Sequence, residues 1–270
     1  MKILIYGLNY APEPTGIGRY TGEMGAWLAA RGHSVRVVTA PPYYPAWRVA
    51  DGQRRFYHRD RLDGADLLRC PLWVPHNPTG SVFTRDELLA IAEVVAEHDL
   101  WVISDEAYEH LVFSGSEHVP FCTLPGMAER TVTIGSAGKS LSMTGWKVGW
   151  ATGPTDLIAA VRVPRQHLSF VSGGPFQWAV VEGLALPDEH WTAFRDGLEA
   201  QRDLLCTGLA DLGLPTTVPQ GTYFATTDVR PLGYADGWAF CRDLPGRAGV
   251  VAIPHEVFHD DPEAGKPYVR

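Results

Sequence analysis

Two short apolar runs, Leu100-Trp101-Val102-Ile103-Ser104 and Thr131-Val132-Thr133-Ile134, constrain the fold of this chain more than any other feature. Both are rich in aliphatic and β-branched residues, which predicts buried strands of an α/β sheet. In an open sheet of that kind, ligands sit beyond the C-terminal ends of the strands. The first run delivers Asp105-Glu106-Ala107-Tyr108, and the second, after Gly135, delivers Ser136-Ala137-Gly138-Lys139-Ser140. A lysine just past a strand end, among hydroxyls and glycines, is partly desolvated, which favours its neutral, nucleophilic amine and Schiff-base chemistry. An aspartate in the matching place can keep a pyridine nitrogen protonated. A tyrosine three residues later can hydrogen-bond a phenolate oxygen.

Two further stretches extend the pattern. Lys147 lies beyond the Thr144-Gly145 turn and, with the Ser136 hydroxyl, can hold a phosphate as a point charge. Upstream, His76-Asn77-Pro78-Thr79-Gly80 is a turn whose asparagine can donate a hydrogen bond to a ring oxygen or a carboxylate. Taken singly, each piece also fits a surface lysine, a plain turn or a strand end. Their order and spacing set them apart.

Composition narrows the classes. The net charge of −8 argues against a general nucleic-acid binder, so anionic small molecules need local cationic pockets rather than a global field. The four cysteines, Cys70, Cys122, Cys206 and Cys241, form no C-x-x-C pair and indicate neither a metal site nor a disulfide framework. No run approaches the ~18 apolar residues of a membrane span. The apolar start at Met1 to Tyr6 is too short for a secretory signal, and the expected location is the cytoplasm.

From His76 to Arg270 the chain resembles the class I and II aminotransferases, the fold-type I pyridoxal-phosphate enzymes, in their N-succinyldiaminopimelate and kynurenine-type pattern. The resemblance rests on HNPTG, SDEAYEHLVF, GSAGKS and TGWKVGW, in family order. It implies pyridoxal 5'-phosphate as cofactor, with Lys139 as its covalent anchor and as the base that moves the substrate proton. It also implies Asp105 on the ring nitrogen, Tyr108 and Asn77 on the ring hydroxyl, and Ser136 and Lys147 on the phosphate. Lys147 stands where many members carry arginine. Tyr268-Val269-Arg270 matches a short strand whose arginine clamps the substrate carboxylate, with Asn77 as a second contact to substrate. The substrates implied are an amino acid and a 2-oxo acid.

Residues 1–75 resemble a different family. Lys2 to Tyr6 predicts a strand, Gly16-Ile17-Gly18-Arg19-Tyr20 opens a helix with Met24, Trp27 and Leu28 on its apolar face, and Arg31-Gly32 ends it. Val35 to Thr39 completes a βαβ unit. With NYAPEPTGIGRYTGEM, RGHSVRVVTAPPYYP and RLDGADLLRCPLWVP, this stretch resembles the N-terminus of family 4 GT-B glycosyltransferases. There the Gly16 to Gly18 loop lies near donor phosphates. The E-x7-E spacing of that family recurs at Glu109 and Glu117, where it is read as coincidence because Glu109 belongs to the DEAYEH run.

The fold expected is therefore α/β: a Rossmann-like βαβ segment over 1–75, part of a fold-type I large domain over 76–175, and a small C-terminal α/β domain over 176–270. The join falls near Val74 to Asn77, and the chain reads as a chimera. On the resemblance, its aminotransferase part lacks the N-terminal phosphate loop, the residue that stacks on the ring, and the last strand and helix. Family members are homodimers, so altered association and exposed apolar surface are expected here. Alternative readings are a glycosyltransferase fragment or a non-catalytic product.

The remaining elements follow from periodicity. Thr84 to Glu87 is a capping box before a helix with Leu88, Leu89, Ile91, Ala92 and Val95 inward. Strands are expected over 147–153, 221–225 and 249–254. Helices are expected from Leu157 to an interruption at Pro164, over 176–184, and from Trp191 to about Leu212 with Phe194, Leu198, Leu204, Leu205 and Leu209 inward. Trp238 and Phe240 are expected in the core.

Overall fold

A computed structural model of the chain describes residues 2–6, 16–39, 58–69, 79–171, 173–258 and 262–270. Strand β1 (Lys2–Tyr6), helix α1 (Gly16–Ala30) and strand β2 (Ser34–Thr39) form the expected βαβ unit, with Ile5 opposite Val37 in a parallel pair. α1 stops where the sequence predicts. Gly32 takes φ +80, its N–H donates to Ala29 O at 3.0 Å, and His33 N–H donates to Leu28 O at 3.3 Å. Those paired bonds satisfy carbonyls that the helix end would leave bare.

The face that α1 buries differs from the expected one. Gly22 and Gly25 are buried and Leu28 and Ala29 pack on the sheet, whereas Met24 and Trp27 are exposed. Small residues let the helix approach closely, and this turns the bulky side chains outward. The Arg31 guanidinium then covers the Trp27 ring at 3.6 Å. β3 (His58–Leu62) and β4 (Ala65–Arg69) form a hairpin across Asp63-Gly64, both at positive φ. β4 pairs parallel with β2, giving the order β1-β2-β4-β3.

Helix α2 (Arg85–Glu97) begins at the expected capping box: Glu87 N–H donates to Thr84 Oγ1 at 3.3 Å, and Thr84 N–H donates to the Glu87 carboxylate at 2.8 Å. Its stripe of Leu88, Ile91, Ala92 and Val95 joins Leu100, Val102, Phe121 and Met127 in the largest described core. The stripe covers one side of β5 (Val102–Asp105), which pairs parallel with β6 (Thr131–Ser136), Asp105 opposite Ile134. Beyond the short helix α3 (Ala137–Ser140), β7 (Gly149–Thr152) returns antiparallel with Gly149 opposite Ser136. β1 lies alongside β5, so the two sheets are neighbours.

Helices α4 (Thr155–Leu168), α5 (Gly174–Leu184) and α6 (Asp188–Asp211) follow. Contrary to expectation, α4 continues through Pro164. The carbonyl that loses its partner, on Ala160, belongs to an exposed residue and can bond to water instead. Leu204 and Leu205 of α6 are exposed, not inward. The inner face runs through Trp191, Phe194, Leu198, Arg202, Cys206 and Leu209. Arg202 sits there because its charge is matched: it bonds Glu199 at 3.1 Å and Pro219 O at 3.2 Å, and it lies over the Phe113 ring at 4.6 Å.

The small antiparallel sheet has the order β10-β9-β8, from β8 (Thr216–Thr217), β9 (Thr226–Asp228) and β10 (Tyr268–Val269); α7 (Gly237–Ala248) and α8 (Pro262–Gly265) flank it. Neither expected strand at 221–225 or 249–254 forms. Gly221 and Pro254 make single bridges to Val112 and Val269, while Val250 and Val251 are exposed. Trp238 is exposed as well, and Phe240 is half-buried against Tyr234. Among the described residues no helix is long and apolar enough to cross a membrane.

Candidate functional site

Because β5 and β6 are parallel and adjacent, their C-terminal ends open on the same edge of the sheet. Asp105 ends β5, and Lys139 stands on α3 immediately after β6. Tyr108 is brought back beside them by the turn that follows Asp105, where Ala107 N–H donates to Asp105 Oδ1 at 3.3 Å and Glu106 N–H donates to Ile134 O at 2.9 Å. Lys139 Nζ lies 5.8 Å from the Tyr108 ring centre and 5.9 Å from that of Tyr223. Lys139 is half-buried between two aromatic faces that attract its charge when it is protonated.

Asp105 opens onto this edge yet is closely ringed by protein elsewhere. That partial burial raises its carboxyl pKa against the pull of the Ala107 N–H, and the neighbouring Glu106 raises it further. Such a carboxylate gains from a cation seated opposite. Behind it, the buried Glu106 is fully engaged: it accepts from Ser104 Oγ at 2.8 Å and Phe121 N–H at 3.0 Å, and its other oxygen meets His118 Nε2 at 2.9 Å. Glu109 meets Ser140 Oγ at 3.5 Å, the residue next to Lys139, and burial raises its pKa too. Glu117, the other half of the E-x7-E spacing, is exposed.

Ser136 and Lys147 lie at the same end of the β6–β7 pair. Ser136 pairs with Gly149, and Ala137 N–H donates to Val148 O at 3.1 Å, so Lys147 flanks the start of α3. Lys147 is not part of a strand: it is exposed with φ +54, a conformation that costs a non-glycine residue about 1 kcal/mol. Strain of this kind in a candidate site is consistent with a held functional geometry. Asn77 and the loop before α1 lie outside the described residues. In the described stretch that follows, Gly80 O accepts from Gln220 N–H at 2.8 Å and Gly221 N–H at 2.9 Å.

Those bonds fix a stretch that the sequence reading assigned to a strand. Thr222 is fully buried at φ +70, and its N–H donates to Leu111 O at 2.7 Å. This bend turns Tyr223 towards Tyr108 and Lys139, and Phe224 towards Arg270. The Tyr223 and Phe224 ring centres are 4.5 Å apart, and the Arg270 guanidinium lies 4.2 Å from the Phe224 ring. One aromatic row thus runs from the lysine to the arginine.

A family model described as aminotransferase class I and II matches residues 72–266. The chain belongs to the class I and II aminotransferases. It is 51% identical, over 97% of its length and 71% of the relative, to a protein of Mycobacterium tuberculosis named probable N-succinyldiaminopimelate aminotransferase DapC. It is 41% identical, over 69% of its length, to the kynurenine–oxoglutarate transaminase of Dictyostelium discoideum, of which it spans 48%. The solved N-succinyldiaminopimelate aminotransferase of M. tuberculosis aligns with 99% of the chain at a TM-score of 0.71 and 38% identity, the chain spanning 66% of it. The family implies pyridoxal phosphate and small-molecule substrates. A glycosyl transferase 4-like model also matches residues 15–104, overlapping the aminotransferase match over 72–104.

In this aminotransferase the structure groups Asp105, Tyr108, Ser136, Lys139 and Lys147 at one sheet edge and connects them to Arg270 by aromatic contacts. The sequence reading did not include Tyr223, Phe224 or Phe258. A signal was present, because adjacent aromatic residues in a strand point to opposite faces and cannot both enter one core. The residues fit the cofactor that the family implies. A crowded carboxylate suits a ring cation, a half-buried amine suits a carbonyl carbon, and a hydroxyl beside an exposed lysine suits a phosphate.

Proposed function

We propose that the chain transfers an amino group between an amino acid and a 2-oxo acid with pyridoxal phosphate as the carrier. When bound, the cofactor supplies the electron sink for breaking a bond at the substrate α-carbon. Lys139 would anchor it and, as a free amine, would take the proton from that carbon. Asp105 would face the ring nitrogen and favour its protonated form. Tyr108 and Asn77 bind the ring oxygen, Ser136 and Lys147 bind the phosphate, and Arg270 binds the substrate carboxylate. The observation that carries the reading is the shared C-terminal edge of β5 and β6, with Asp105 and Lys139 on it and an aromatic row leading to Arg270. The mycobacterial relative makes a succinylated diamino acid a substrate to try first, and a homodimer is the expected assembly.

The test is reductive trapping. The chain is incubated with pyridoxal phosphate, reduced with borohydride and digested, and the modified peptide is identified by mass spectrometry. The mass shift is expected on Lys139, and Lys139→Ala should lose both it and amino transfer. Labelling spread over other lysines, or undiminished in the alanine variant, overturns the assignment.

A further inference from the structure

The Arg270 guanidinium lies over two aromatic rings, Phe224 at 4.2 Å and Phe258 at 4.5 Å from their centres. Each ring is held by its own scaffold. Phe224 follows the buried, left-handed Thr222, whose hydroxyl accepts the Phe224 N–H at 3.4 Å. Phe258 packs edge-on against the buried His255 ring at 5.8 Å, and His255 Nε2 lies 3.2 Å from Thr226 Oγ1 of β9. The Arg270 backbone is also fixed, since it exchanges two hydrogen bonds with Ile253, both at 2.9 Å. A guanidinium carries its N–H groups on its edge and its weakly hydrated surfaces on its faces. Two rings within cation–aromatic range of Cζ restrict where the guanidinium can lie, and a guanidinium so placed suits a planar, two-oxygen acceptor.

We infer that Phe224 and Phe258 are positioning residues whose rings hold the Arg270 guanidinium in place for the substrate carboxylate. This inference rests on the proposed function, in that it takes Arg270 as the carboxylate group. Phe258 is the cleaner probe, because Phe224 also touches Tyr108 and Tyr223. Leucine at 258 keeps apolar volume and removes the ring face, whereas tyrosine keeps the face.

The experiment compares the parent chain with Phe258→Leu and Phe258→Tyr in two measurements. One is calorimetric titration of the cofactor-free chain with succinate, a dicarboxylate that cannot be transaminated. The other is KM against kcat for amino transfer by the reconstituted chain. Phe258→Leu should bind succinate roughly three- to thirty-fold more weakly and raise KM by a similar factor, the range expected of one lost cation–aromatic contact. Its kcat and its Lys139 labelling should stay near parent values. Phe258→Tyr should match the parent. Succinate binding unchanged in Phe258→Leu, lost equally in Phe258→Tyr, or absent in the parent overturns the inference. Failure of Lys139 labelling in the parent overturns the proposed function instead, and the cofactor-free titration still decides this inference.

Discussion

The N-terminal sheet and the β5–β7 sheet are built on similar plans, and among the described residues the proposed site residues Asp105, Ser136 and Lys139 lie at the strand ends of the second. Each has a parallel pair, β1 with β2 or β5 with β6, and each has an antiparallel edge strand. In the first, the edge is made by a tight hairpin whose turn is Asp63-Gly64. In the second, the chain leaves β6 through α3, presents Lys139, and only then returns as β7. The pairing pattern is thus neutral about function, which resides in side chains at strand ends. The aminotransferase family model covers the β5–β7 sheet at 72–266, whereas the mycobacterial relative aligns with 97% of the chain and so takes in both sheets.

Matched glycine substitutions should separate the two sheets most widely. A Cβ at Gly135 would sit 2.3 Å from the Trp150 indole that covers it across the β6–β7 pair. Gly135→Ala should therefore lower unfolding stability by about 3 kcal/mol through overpacking and disturb labelling of Lys139. A Cβ at Gly64, in the first sheet, meets only Ala29 Cβ at 3.1 Å, at φ +84. Gly64→Ala should lose about 1–2 kcal/mol and leave labelling intact. Equal losses of labelling in urea-matched samples would erase the distinction.

Acid should act on the site side of the molecule. Burial, and then the charge of Arg270, push the His255 pKa down from 6.5 to about 3. The unfolded chain therefore takes up a proton that the folded chain refuses as pH falls from 6.5 towards 3, and stability declines across that window. The loss should be on the order of a few kcal/mol, reduced by Glu256, whose raised pKa works in the opposite direction. Urea midpoints at neutral and mildly acidic pH check this, and His255→Gln should flatten the slope. A slope unchanged by that substitution would place acid sensitivity elsewhere.

The smallest effect on stability is expected at Lys147. Glycine relaxes the φ +54 backbone but enlarges unfolded-state freedom, so Lys147→Gly should shift stability by no more than about 1 kcal/mol. On the role proposed for Lys147, cofactor affinity should nevertheless drop about tenfold or more, through loss of a charged hydrogen bond to phosphate. Equilibrium dialysis against pyridoxal phosphate measures it, and an unchanged affinity would remove Lys147 from the site.

Local chemistry was legible in the sequence. The capping box at Thr84, the glycine stop at Gly32, the strands ending at Asp105 and Ser136 and the positions of Lys139 and Arg270 all depend on residues close in the chain. Periodicity also found α6 and placed Phe194, Leu198 and Leu209 on its inner face, but it misplaced two leucines. Leu204 and Leu205 point to solvent, while Arg202 turns inward because Glu199, Pro219 and Phe113 meet it there. Tertiary structure alone decided the aromatic row. Tyr223 and Phe224 face the site because Gly80 and Leu111, far away in sequence, bind the backbone of residues 220–222 and hold Thr222 left-handed. Phe258 joins Arg270 only after β9 and β10 pair. Helix caps and strand patterns are short-range and can be read from neighbouring residues, whereas ring contacts between distant segments exist only once the chain has closed on itself.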